Sequence, residues 1–284
     1  MTVPEDLLEK VLSRLGFNHR PETSLAGLSA LYAAWCQKVP FDNVQKLVHL
    51  HEGRPGSLPG TDPNQGLDNW LRHGTGGTCW SSSTSLFALV KGLGFDAERG
   101  IATMLAAPNL PPNHATVRVK IEGLHYLIDS AILFGEPLLL DGRDELKVDH
   151  PAWGLSGTRQ DDGRWTLRWR ALHVPTGFDC RYEFFGATHA DYVQRHESTR
   201  DWSPFNYQLT ARRNRGNEVI GASFGNAVAL RADGSVEVRE IDDTERRRML
   251  IEDFGMSEEI VSRLPADRPT PPPPGSAAAR GQES

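Results

Sequence analysis

Cysteine is scarce in this chain: Cys36, Cys79 and Cys180 are the three present in 284 residues. Their wide spacing suits neither a disulfide framework nor a cysteine-bound zinc site. Long apolar runs are absent too. No stretch approaches the roughly 20 residues needed to span a bilayer, and the first fifteen residues set acids among their leucines in place of a signal-peptide core. A cytoplasmic location without membrane attachment is therefore expected. Positive charge is in deficit, with 31 basic residues against 37 acidic ones and a formal net charge of −6. The basic residues are scattered, which speaks against a phosphate-backbone footprint and so against nucleic acid as a partner. What is present is ordinary: 38% hydrophobic and 24% charged residues furnish ample core for two or three small domains.

The chain is organised around Gly74-Thr75-Gly76-Gly77-Thr78-Cys79-Trp80, followed by Ser81, Ser82 and Ser83. Closely spaced glycines let the backbone turn sharply and approach a ligand. The spacing of Leu86, Phe87, Leu89, Val90 and Leu93 predicts a helix that Gly92 and Gly94 end. A cysteine at the start of a helix sits among unpaired N–H groups and the positive end of the macrodipole, which favour a thiolate. An isolated cysteine is more often structural, so a nucleophilic Cys79 requires a base and an orienting acid elsewhere in the chain.

Residues 4–15 place Leu7, Leu8, Val11, Leu12 and Leu15 at helical spacing, with Pro4 in the first turn and Gly16 as the stop. Ser24 caps a second helix to about residue 37, where Cys36 is a packing residue. Val39-Pro40-Phe41-Asp42-Asn43-Val44 is extended, as its proline requires. His49 and His51 follow without a carboxylate or cysteine at ligand spacing, and no metal is expected. Residues 53–65 are rich in glycine and proline and read as a surface loop. Strands are predicted over 95–105 and 115–121, separated by a proline-bearing loop at 106–113. Residues 151–164 read as loop, 165–170 as a half-exposed strand with a solvated arginine face, 181–185 as a strand and 189–196 as a short helix. A hairpin covers 224–231 and 236–241. A helix runs from 242 or 243 to 254, and the proline-rich stretch beyond Leu264 is expected to be disordered.

One hairpin decides where the chemistry lies. If Glu122-Gly123 is a two-residue turn, Ile121 opposes Leu124, Thr116 opposes Asp129, and His114 lies one diagonal step away on the same face. Val117, Val119, Ile121, Leu124, Tyr126 and Ile128 then line the other, apolar face. A diagonal of about 7–8 Å is within reach of an imidazole and a carboxylate. Cys79, His114 and Asp129 thus form a nucleophile, a base and an orienting acid. His73 has no strand to hold it, and His125 lies at the turn end, so both fit the base role less well. A turn with an odd number of residues would place His114 and Asp129 on opposite faces.

With these residues in place, the chain resembles the arylamine N-acetyltransferases, members of the transglutaminase-like, papain-related set of cysteine enzymes. Val39-Pro40-Phe41-Asp42-Asn43-Val44 resembles the family's I-P-F-E-N-L segment, and Gly76-Gly77-Thr78-Cys79 its G-G-x-C loop. His114 and Tyr126-Leu127-Ile128-Asp129 resemble its histidine and Y-L-V-D acid; Asp191-Tyr192, Ser203-Pro204 and Asp253-Phe254-Gly255 also fit. The resemblance implies an α+β fold. A helical domain over 1–94 ends in the cysteine helix, an antiparallel β-barrel-like domain over 95–200 carries His114 and Asp129, an α/β lid spans 201–264, and 265–284 is a disordered proline-rich tail. It implies an acyltransferase that moves an acyl group, usually acetyl, through a Cys79 thioester to a small-molecule amine. Acetyl-CoA (acetyl-coenzyme A) or another acyl-CoA thioester is the implied co-substrate, with backbone N–H groups near Thr78 and Cys79 as oxyanion donors and no metal. Phe41 and Trp80 are candidate substrate-binding walls, with ordinary core packing as the alternative.

The departures from the pattern leave the substrate open. Thr75 stands where the family has Arg, and Ser81 and Ser83 where it has Glu and Asn. Ser130-Ala131-Ile132-Leu133 replaces V-G-F-G, and Asn206-Tyr207-Gln208 replaces S-x-F. Three alternatives remain: an amide synthase or Dieckmann-type cyclase fed by an acyl carrier protein, a transglutaminase-like cysteine hydrolase, and a non-catalytic binding module on the same fold.

Overall fold

The computed structural model describes residues 3–107 and 110–274. Helices come first, each set by local chemistry. Helix α1 (Glu5–Leu15) buries Leu8, Val11, Leu12 and Leu15 and stops at Gly16, whose φ of 94° is left-handed. Helix α2 (Leu25–Lys38) starts where the Ser24 hydroxyl accepts the Gly27 N–H, and buries Leu28, Leu31, Tyr32, Trp35 and Cys36. Strand β1 (Phe41–Asp42) leads into α3 (Val44–His51), whose pattern is too brief to announce a helix from sequence. Helix α4 (Pro63–His73) begins inside the expected 53–65 loop, because Asp62 caps it and Pro63 takes its first position. Helix α5 (Cys79–Gly92) opens on the cysteine.

The middle of the chain folds as strands β2 (Asp96–Met104), β3 (His114–Ile121), β4 (Leu124–Ile128), β5 (Leu138–Leu139), β6 (Glu145–Val148), β7 (Leu155–Arg159), β8 (Trp165–Ala171) and β9 (Val174–Ala187). They form one antiparallel, barrel-like sheet in the order β5-β4-β3-β2-β9-β8-β7-β6. The loop expected at 151–164 is corrected by β7, which pairs Leu155 with both Val148 and Trp169. Gly157 suggests a loop, yet a Cβ there would meet the Leu167 side chain at 2.3 Å. The glycine permits close approach within a strand and does not end one.

After β9, α6 (His189–Glu197) is started by a capping box between Thr188 and Asp191. A single 3-10 turn (Pro204–Asn206) leads into β10 (Thr210–Arg215), β11 (Glu218–Ser223), β12 (Asn226–Leu230) and β13 (Val236–Glu240). These four strands with β1 at one edge make a second antiparallel sheet, and α7 (Asp243–Glu252) and α8 (Glu258–Val261) follow. The fold is thus α+β, with helices, a barrel-like sheet and a C-terminal α/β layer. None of the helices among the described residues is long and apolar enough to cross a membrane.

Packing cuts across sequence order. Leu12, Leu31, Trp35 and Leu89 from the helices share one core with Val117, Val119, Trp165 and Leu167 of the barrel-like sheet. A second core joins Val44, Leu47 and Val48 to Leu209, Ile220, Leu250, Phe254 and Val261. The apolar side of α3 therefore packs with the C-terminal layer, although that layer lies far away in the chain. Asn43 reinforces that attachment: its amide donates to the Phe205 and Gln208 carbonyls at 2.9 and 2.8 Å, and its side-chain oxygen accepts the Thr210 N–H at 2.8 Å.

The expectation of disorder beyond Leu264 is corrected over residues 265–271. The Arg268 N–H donates to the Tyr207 carbonyl at 2.9 Å, and the Trp202 indole N–H donates to the Pro271 carbonyl at 3.1 Å. Asp267 accepts the Leu209 N–H at 2.9 Å and a bond from the buried Arg246 guanidinium. Proline content marks an extended chain, but it does not say whether that chain has a surface to lie on. Residues 275–284 of the expected tail lie outside the described residues. Asp267→Ala strands the Leu209 N–H and takes one partner from Arg246, so it should lower the unfolding free energy by about 1–3 kcal/mol in denaturant titration; an unchanged midpoint would mean that the strap adds nothing.

Candidate active site

The β3–β4 hairpin turns on Glu122 and Gly123, both at positive φ (52° and 83°), the backbone of a tight two-residue turn. Its register pairs Ile121 with Leu124, Val119 with Tyr126 and Val117 with Ile128. That register brings His114, at the start of β3, against Asp129, just past the end of β4. His114 Nε2 lies 2.8 Å from Asp129 Oδ2, with both side chains buried.

Asp129 is held from every side. Its Oδ1 accepts the Ala131 and Ile132 N–H groups, each at 2.9 Å, and the Tyr182 hydroxyl donates to Oδ2 at 3.3 Å. The Tyr32 hydroxyl donates to the Asp129 carbonyl at 2.8 Å and accepts the Asp129 N–H at 3.1 Å. Burial pushes the carboxyl pKa up, but the His114 charge and hydrogen bond, together with the two backbone N–H groups, bring it below its ordinary value. Burial pulls the His114 imidazole down, but the charge and hydrogen bond of Asp129 and the nearby Cys79 raise it above its usual value. The ring can thus hold a proton on the side away from Asp129.

Cys79 is the first residue of α5 and is 6% exposed. Its Sγ lies 3.8 Å from the carbonyl of Asn113, the residue before His114. The first bond of this helix runs from the Ser82 N–H to the Thr78 carbonyl at 2.8 Å, so the N–H groups of Cys79, Trp80 and Ser81 have no acceptor within the helix. The glycine pair ahead of it is sterically required. A Cβ on Gly76 would meet the Pro40 carbonyl oxygen at 1.8 Å, and Gly77 is left-handed at φ 92°.

Sequence reasoning did not assign a role to Asp42, whose one signal is its place in the Val39-to-Val44 motif. Its fully buried carboxylate accepts the Gly76, Gly77 and Val44 N–H groups at 2.7, 3.3 and 3.0 Å. Burial raises its pKa to about 6 against the pull of those N–H groups. Asp42 thus folds the glycine loop ahead of Cys79 from behind. The departures from the family pattern are satisfied locally: Thr75 Oγ1 accepts from Gln45 at 3.2 Å, and the Ser81 hydroxyl donates to the Thr78 carbonyl at 3.1 Å.

Phe41 and Trp80 both sit in the apolar cluster that contains Cys79, Ile101, Ala187 and Tyr192. Phe41 meets Phe205 edge-on at 5.5 Å between centroids, and Trp80 meets Tyr192 likewise at 5.5 Å. The other histidines weighed as bases lie elsewhere. His73 bonds Ser257 at 2.9 Å, and His125 pairs with Asp141 at 3.1 Å near the hairpin turn. Among the described residues, no group of three or more His, Cys, Asp or Glu side chains is placed to hold a metal ion.

A family model described as N-acetyltransferase matches residues 24–261. The fold resembles that of solved arylamine N-acetyltransferases. The Mycobacterium abscessus structure has a TM-score of 0.74 at 19% identity, covering 90% of this chain and 93% of that one. The Nocardia farcinica structure gives 0.75 at 20%, covering 90% and 92%, and the Salmonella typhimurium structure 0.75 at 17%, covering 92% and 98%. At these identities the likeness is one of fold. The RNA-directed RNA polymerase 2a of Cowpea chlorotic mottle virus is 31% identical over 111 residues, which is 38% of this chain and 12% of the polymerase. So small a share of the polymerase shows no common architecture.

The pKa directions predict a pH window for the buried pair. A raised His114 stabilises fully below the ordinary imidazole value and loses that effect as pH rises through its folded value. A lowered Asp129 stabilises fully above the ordinary carboxylate value and loses that effect as pH falls through its folded value. The difference in melting temperature between wild type and Asp129→Asn should therefore be largest from about pH 4 to about pH 6.5 and narrow on both sides. A gap that does not vary with pH would contradict the ionised pair.

Proposed function

The chain belongs to the N-acetyltransferase family, that of the arylamine N-acetyltransferases, and from that premise we propose that it transfers an acyl group through a thioester on Cys79 to a small-molecule amine. The reading rests on one observation above all: a buried, fully bonded Asp129 carboxylate on His114, with the Cys79 thiol beside that imidazole. Acetyl-coenzyme A is the donor that family membership favours.

In the first stage, His114 takes the thiol proton on the ring nitrogen that Asp129 leaves free. The Cys79 sulfur bonds the acyl carbon, the bond from that carbon to the coenzyme sulfur breaks, and the coenzyme leaves with the proton from His114. In the second stage, the amine nitrogen attacks the enzyme thioester, His114 removes its proton, and Cys79 is released as the leaving group. The N–H groups at the start of α5 stabilise the oxyanion of each tetrahedral intermediate. Asp129 fixes the tautomer and stabilises the imidazolium. Phe41 and Trp80 wall the acceptor side, and the C-terminal layer acts as a lid through Phe205.

Intact-mass measurement after mixing with acetyl-coenzyme A, longer acyl-coenzyme A esters and an acylated carrier protein tests the assignment. The wild type should gain one acyl group from a coenzyme A ester, and Cys79→Ala none; an adduct that survives in Cys79→Ala would overturn the nucleophile. Loading from the carrier protein alone would reassign the donor, and peptide hydrolysis without loading would indicate a hydrolase. Asp129→Asn should slow amine acylation by about 100-fold or more while remaining folded; full activity would remove Asp129 from the chemistry.

A further inference from the structure

Building on the acyl-transfer reading, we propose that Ser83 and Ser130 are a positioning pair that sets the approach of Cys79 to His114. Ser83 lies four residues after Cys79 on α5, one turn along the same face. Its Oγ is 2.9 Å from the Ala115 carbonyl oxygen and 2.8 Å from Ser130 Oγ. Both hydroxyls are fully buried.

The direction of these bonds follows from proton counting. A carbonyl oxygen only accepts, and a serine hydroxyl carries one proton, so Ser83 donates to Ala115 and Ser130 donates to Ser83. Ala115 is the residue after His114, and Ser130 is the residue after Asp129. One hydroxyl on the nucleophile's helix is therefore tied to the immediate neighbours of the base and of the acid.

Stability alone does not call for this arrangement. Two buried hydroxyls that satisfy each other gain little over two methyl groups, because their desolvation offsets most of the bond. What they add is direction. Apolar packing holds α5 against the sheet but tolerates a small slide or rotation, whereas a two-bond hydroxyl chain fixes both. Among the described residues, the Ser82 and Ser85 hydroxyls on the same helix have no partner, so engagement is not general to the serines of α5. Ser83 and Ser130 both stand where this chain departs from the family pattern, and the pair is a feature of this sequence.

The test is single-turnover loading of Cys79 from acetyl-coenzyme A, followed by rapid quench and intact mass, in Ser83→Ala, Ser130→Ala, the double variant and Ser83→Thr. Each alanine variant should lower the maximal loading rate by about 10- to 100-fold. The half-saturating donor concentration should stay within about twofold, and the double variant should be no more than about twofold slower than the slower single one. Ser83→Thr, which restores the hydroxyl, should recover most of the rate. Wild-type loading in Ser83→Ala, multiplicative losses in the double variant, or a change confined to donor half-saturation would overturn the pair. If Ser83→Ala does not fold, Ser130→Ala decides, since its hydroxyl bonds Ser83 alone among the described residues. If the wild type loads from no donor, the acyl-transfer reading fails instead, and the rate of Cys79 alkylation across the same variants judges the pair.

Discussion

A buried carboxylate must find a partner for every lone pair or give up its charge. Asp129 meets that demand with groups from separate parts of the chain, Tyr182 of β9, His114 of β3 and the N–H groups of the turn that follows β4, while Tyr32 of α2 holds its backbone N–H and carbonyl. One residue, through its side chain and its backbone together, therefore ties a helix, three strands and a turn to each other. The same bonds leave His114 oriented and able to hold a proton. The fold and the chemistry share this constraint, and neither can shift much without the other.

Asp42 does for the glycine loop before Cys79 what Asp129 does for His114. Its carboxylate gathers the N–H groups of Gly76 and Gly77, and the adjacent Asn43 bonds the C-terminal layer and the turn before it at Phe205, Gln208 and Thr210. Two neighbouring residues thus join the glycine loop before Cys79 to the C-terminal layer. Cys79 and Phe41 belong to an apolar cluster of their own, apart from the two larger cores.

Much of this was legible in the sequence where the signal is local. The glycine loop, the caps at Ser24 and Asp242, and the alternation on both sides of Glu122-Gly123 each report a backbone preference within a few residues. The meeting of His114 with Asp129 followed because a two-residue turn fixes register. Elements whose reasons lie at a distance were not legible. Gly157 reads as a loop until Leu167 is seen against it, α3 is too short to show a period, and the residues after Leu264 need the surface around Tyr207 before their order has a cause. The roles of Asp42, Ser83 and Ser130 are likewise defined by partners far away in the chain, and residue type alone does not reveal them.

The central claim is that Cys79 is a nucleophile prepared by His114. The most direct measurement is the rate of iodoacetamide alkylation at neutral pH, mapped to individual cysteines by peptide mass, in wild type and His114→Gln. The account predicts that Cys79 reacts in the wild type and much more slowly in His114→Gln, while Cys36 and Cys180, at 1% and 0% exposure, stay unmodified in both. Equal rates at Cys79 in the two proteins would contradict it.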